Sequence, residues 1–245
     1  MPKNIKKIMH ICIIITIIIV IGFTALMLIL KYDEFGETNM PFDISKITII
    51  STVDAQDVDD KNNRWNVKVS QNNDVYIDIK KNEEYQKNRI IKSITLDNFQ
   101  VTKAPAKGSI EIYKPSTNNV KTFDNKEENK ISEITYDGDK STDIKNLKIS
   151  NQGGRIAFRC GNNDIGDYIS NDEDELNYSE LLKKMNLNQD DIQSKISFDI
   201  NILLTNKKSY KATVEIDIPI DGVSEKGTSS IELENPQVVF KRVDN

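Results

Sequence analysis

The feature that most constrains this 245-residue chain is an apolar run from Ile8 to Leu30, IMHICIIITIIIVIGFTALMLIL, without one formally charged side chain. At about 1.5 Å of helical rise per residue it extends roughly 35 Å, slightly more than the hydrocarbon core of a bilayer. In lipid such a segment must be helical, because only a helix pairs all its backbone donors and acceptors internally. The rival reading is a cleaved signal peptide, whose apolar region is about 7–15 residues long and closes on small residues. This run is longer and ends Leu-Ile-Leu-Lys-Tyr-Asp, so an uncleaved signal anchor over 8–30 is expected. A lipoprotein would need a cysteine just beyond the run, whereas Cys12 sits near its start behind Ile11.

The flanks set an expected orientation. Lys3, Lys6 and Lys7 precede the run; Asp33, Glu34, Glu37 and Asp43 follow it, with Lys31 and Lys46 as the balancing cations. Basic residues stay on the cytoplasmic side, so 1–7 read as a cytoplasmic tail and the bulk of the chain as extracytoplasmic, in the cell membrane or envelope. The overall charge of −5 divides accordingly. Residues 1–31 hold four lysines and no acid, which leaves 29 basic against 38 acidic residues, or −9, for the remainder. That balance excludes a nucleic-acid partner, which requires a basic footprint. Ile, Lys and Asn make up more than a third of the chain, a bias that AT-rich bacterial codons produce.

Beyond an aperiodic linker at 31–43, apolar and polar residues alternate with period two. Ile196, Phe198, Ile200, Ile202 and Leu204 lead through Asn206-Lys207-Lys208-Ser209 to Tyr210, Ala212, Val214, Ile216, Ile218 and Ile220, a long antiparallel hairpin whose returning strand is expected to end at a sheet edge at Pro219. Trp65, Val67 and Val69 followed by Val75, Ile77 and Ile79 suggest a second hairpin turning at Gln71-Asn72-Asn73-Asp74. Further strands are expected near 46–53, 89–102, 108–114, 131–136, 144–149, 154–160 and 230–241, with a bulge at Asp97-Asn98. A helical insertion is expected near 178–194. Its two helices, 178–186 and 189–194, would be capped by Asn177 with Glu180 and by Asn188 with Asp191. The pattern predicts a mainly β chain: one antiparallel β-sandwich, Ig-like or jelly-roll-like, over 44–245 behind a single transmembrane helix.

Catalytic chemistry is constrained by absences in the sequence. The one histidine, His10, lies in the apolar run, which removes Ser-His-Asp, Cys-His and His-zinc arrangements from the remainder. No Ser-x-x-Lys, P-loop or G-x-G-x-x-G pattern occurs. Cys160 continues the alternation Ile156, Phe158, Cys160 and reads as a buried, inert thiol. Trp65 reads as core, and Tyr76 as an ordinary surface aromatic. Asn162–Asp167, Asn171–Glu175 and Asp137–Ser141 are oxygen-rich and could hold calcium, but each reads better as a solvated acidic loop or turn. No catalytic, cofactor or metal residue is therefore assigned. The favoured expectation is a non-enzymatic interaction or structural module that contacts envelope proteins or cell-wall polymer. The alternatives are a carbohydrate-binding module or carboxylate-dependent glycosidase, and a calcium-stabilised adhesion module.

Overall fold

The computed structural model describes residues 3–37, 40–57, 65–83, 90–116, 121–138, 147, 149–150, 153–170 and 176–243. Helix α1 (Lys3–Phe35) includes the whole apolar run. From Ile13 to Phe35 it is exposed on every side and has the length and composition to cross a membrane. From Ile13 to Leu30 the helix is apolar all round and exposed, which is at odds with water as its solvent. The helix also takes up Lys31–Phe35, and β1 (Phe42–Asp57) begins at once after Pro41, so ordered structure replaces most of the expected linker.

Two antiparallel sheets follow. One joins β10 (Thr228–Glu234), β1, β2 (Trp65–Lys81), β7 (Gly153–Ser170) and β4 (Ser109–Tyr113) in that order, with the short β6 (Ile149–Ser150) also on β7. The other runs β11 (Lys241–Val243), β9 (Ser209–Ile218), β8 (Ser194–Leu204), β3 (Ile91–Lys103) and β5 (Ile134–Asp137). Their apolar faces meet in one core. At its centre Phe158 of the first sheet stands edge-on to Phe198 of the second at 4.8 Å and to Phe99 at 5.1 Å. The β8–β9 hairpin has the expected phase, pairing Ile196 with Ile216 and Ile200 with Ala212, and β9 ends at Ile218 before Pro219. The bulge in β3 is also present: Asp97 faces Asp199 and pairing resumes at Gln100 with Ser197, with Asn98 at φ 51°.

The first sheet is much longer than the second, and its far half packs on something else. Val53, Val67, Val69 and Ile165 meet Leu181 and Leu182 of α2 (Leu181–Lys184), Ile192 of α3 (Gln189–Ile192) and Val223 of α4 (Val223–Lys226) in a second apolar cluster. Between the two clusters lies a buried polar layer. Asn73 exchanges amide hydrogen bonds with Gln71, accepts from the Ser51 hydroxyl at 2.7 Å and donates to the Cys160 carbonyl at 3.2 Å.

That layer corrects the second expected hairpin. Gln71-Asn72-Asn73-Asp74 is no turn; β2 runs straight through it, because residues 67 to 79 keep one parity and each buried amide finds a partner. Likewise β7 extends to Ser170, and Asn162–Asp167 is a bulged strand: Val69 pairs with Gly166 but Gln71 with Asn162, and Asp164 takes φ 53°. The expected strand at 230–241 is two pieces in different sheets, because Asn235 at φ 46° and Pro236 break it. The helices are shorter than expected. Asn188 and Asp191 do form a capping box, but Asn177 accepts from Ser179 within a turn and does not cap α2.

Candidate functional site

Outward-facing residues of β2, β7 and β4 form the floor of a groove of about 950 Å³, and the segment 121–130 forms one wall. Phe123 fixes that segment to the sheet. Only 2% exposed, it stands edge-on to Tyr76 and lies under the Arg159 guanidinium, 5.0 Å from its ring centre. Arg159 also grips Asp74 on the neighbouring strand through two hydrogen bonds, 2.5 and 3.0 Å, and donates to Asn125 at 3.1 Å. Asn125 donates to Asn72 at 2.7 Å, so sheet and wall are stitched together.

The other end of the groove centres on Glu111. Its carboxylate accepts from Tyr113 at 2.6 Å and Asn163 at 2.7 Å, and pairs with Lys130 at 2.6 Å. Burial alone would raise the Glu111 carboxyl, but the bonds from Lys130, Tyr113 and Asn163 outweigh it and hold the group below the usual glutamate range. The Tyr113 hydroxyl is pushed up to about 12 by burial and by its bond to Glu111. Lys130 is held above the usual lysine range by Glu111 and Glu127. Near neutral pH Glu111 therefore stays ionised, Lys130 stays cationic and the Tyr113 hydroxyl stays protonated and uncharged. A glycosidase general acid needs a raised carboxyl, and Glu111 is shifted the other way.

The groove is mixed in sign: Asp54, Asp74, Glu111, Asp124, Glu127 and Asp164 stand among Lys68, Lys121, Lys126, Lys130 and Arg159. Near-neutral lining with many amides suits a neutral polar ligand better than a polyanion. Among the described residues no group of three His, Cys, Asp or Glu side chains is placed to hold a metal ion. Asn171–Glu175 and Asp139–Ser141 lie outside the described residues.

The singled-out residues take these places. Cys160 is fully buried in the core, and burial pushes its thiol far above the usual range. Trp65 packs against the second apolar cluster. Tyr76 is covered by Phe123 and flanked by Arg155, so it is not a free surface aromatic. The groove has no contiguous signature in the sequence. A signal was present: Asp74 and Asp78 share the four-residue spacing of Arg155 and Arg159, and antiparallel register sets each acid opposite an arginine. Asn125 and Lys130 come from a stretch without periodicity. Comparison with protein-family models, curated proteins and solved structures finds no match to this chain.

Proposed function

We propose that the chain is a single-pass bacterial envelope protein, its N-terminus cytoplasmic and its two-sheet body, an Ig-like or jelly-roll-like sandwich, held outside the cell membrane by α1. The body serves as a non-enzymatic module that holds a neutral polar polymer or an extended peptide in the groove beside Asn125 and Glu111. The groove's side chains support this reading because they are already oriented by hydrogen bonds to one another, so little ordering entropy is lost on binding. The depressed Glu111 carboxyl favours holding a ligand over cleaving it.

The test is binding of the full chain, in detergent micelles, to arrayed neutral glycans and purified wall polymer, with product release followed in parallel. Binding weakened about tenfold or more by Asn125→Ala, the loss of a hydrogen bond or two, with no product released, supports the reading. Product that appears with the natural protein and disappears with Glu111→Gln makes it a glycosidase. Equal binding by both proteins removes the groove from the account.

A further inference from the structure

We propose that the end of the two-sheet body nearest α1 is seated among the lipid headgroups, where the β8–β9 hairpin tip binds anionic phospholipid through Lys207, Lys208 and Arg242. This rests on α1 crossing the bilayer. The apolar run stops at Leu30, and Lys31, Asp33 and Glu34 mark the end of the hydrocarbon. The helix nevertheless continues to Phe35 and joins the body through a tight contact. Gly36 turns at φ 68°, where a Cβ would stand 2.3 Å from the Phe240 carbonyl oxygen.

Three bonds fix the strand that passes beside this junction. Glu37 N–H donates to the Phe240 carbonyl at 2.7 Å, Lys241 pairs with Asp33 at 3.0 Å, and Arg242 N–H donates to the Tyr32 hydroxyl at 2.8 Å. As the chain advances from 32 to 37, its partners fall from 242 to 240. The strand β11 therefore runs back toward the lipid. Tyr32 is two residues beyond Leu30, about 3 Å along the axis, and the headgroup layer is roughly 5–7 Å thick on each side. Arg242 is thus at headgroup depth.

The register of β11 on β9 sets the depth of the β8–β9 hairpin tip. Lys241 faces Lys211, Arg242 faces Tyr210 and Val243 faces Ser209, so the turn before Ser209 lies at or below the level of Arg242. Thr205 N–H is bonded to the Ile90 carbonyl, which brings Ile90 to the same place. The chemistry fits that depth. Ile90 and Val243 are 42% and 39% exposed, and the tip carries Lys207 and Lys208 with no acid between Asn201 and Ala212, in a body of net −9, while Lys211 pairs with Asp199. Exposed aliphatic side chains beside lysines whose stems reach along an apolar layer match an anionic lipid interface. The opposite end of the body is far away: β1 carries Gln56 about 45 Å from Phe42 at roughly 3.3 Å per residue.

The test uses the full chain with Cys12→Ser, reconstituted in phosphatidylcholine vesicles with or without phosphatidylglycerol, containing a nitroxide lipid labelled near the headgroup for positions 205 and 56 and at mid-acyl chain for position 21. A fluorophore is attached at Thr205→Cys, Gln56→Cys or Ile21→Cys. Quenching at Thr205 that is absent at Gln56, rises with phosphatidylglycerol, and loses that rise when Lys207→Glu and Lys208→Glu are added supports the proposal. Quenching at Ile21 with none at Thr205 overturns it and leaves the membrane anchor standing. No quenching at either position overturns both. Quenching at Thr205 that ignores lipid charge and the two substitutions overturns recognition of the anionic headgroup.

Discussion

Two arginine–aspartate pairs of the same chemistry lie four residues apart on the same two strands, and they allow burial to be isolated as a variable. Arg159 and Asp74 are 15% and 18% exposed; Arg155 and Asp78 are 42% and 19% exposed, with hydrogen bonds of 2.7 and 2.9 Å. Removing one member of a fully buried pair costs about 3–5 kcal/mol, because the other charge is stranded. Exposed pairs are worth about 0–1 kcal/mol. Arg159 retains some solvent, and it retains Asn125 and the Phe123 ring after Asp74 is lost. Asp74→Ala is therefore expected to cost about 2–3 kcal/mol and Asp78→Ala at most about 1 kcal/mol. For a body of this size the first corresponds to a fall in Tm of about 4–10 °C. Urea unfolding followed by the fluorescence of Trp65, the one tryptophan, measures both. A double-mutant cycle of Asp74→Ala with Arg159→Ala should give a coupling above about 1 kcal/mol. Equal costs at Asp74 and Asp78, or a coupling near zero, would refute the reasoning that burial sets the strength of these pairs.

Three further outcomes are expected. Tyr136→Phe should cost about 1–3 kcal/mol in the same titration, since the Tyr136 hydroxyl both donates to and accepts from the Ala157 backbone, on the stretch of β7 between its β6 and β4 partners. Asp199 is 1% exposed; burial raises its carboxyl, but bonds from Lys211, Thr213 and Asn98 outweigh this and leave it below the usual range. Its ionised form therefore adds stability above the unfolded-state pKa, which is lost as pH falls through the lower folded-state value. Asp199→Asn should destabilise the protein at pH 7 and much less near pH 2, and a constant penalty in pH-dependent unfolding would contradict the assignment. Native Cys160 should stay unmodified by N-ethylmaleimide at pH 8 and react once the chain is unfolded, as mass spectrometry can show; its burial and raised thiol both require this.

Local patterns were legible wherever one physical signal dominated. The Ile-rich run has the length of a membrane span, and the alternation at 196–218 is unbroken, so α1 and the β8–β9 hairpin could be placed to within a few residues. Cys160 followed from parity alone. The groove was not legible, because its floor comes from strands distant in sequence and its wall from a segment without periodicity.

The clearest divergence is at Gln71–Asp74. Read alone, those four polar residues are a turn, since an isolated amide in a core would leave its donors and acceptors unpaired. Ser51, 22 residues before Asn73, and the Cys160 carbonyl, 87 residues after it, supply the missing partners, and the strand continues. What the sequence by itself determined is therefore the set of one-dimensional periodicities: an apolar span, alternating strands and an acidic body. Tertiary structure decided which polar residues could be buried and where charges would pair, because the cost of burying a polar group depends on what the rest of the fold brings within hydrogen-bond reach.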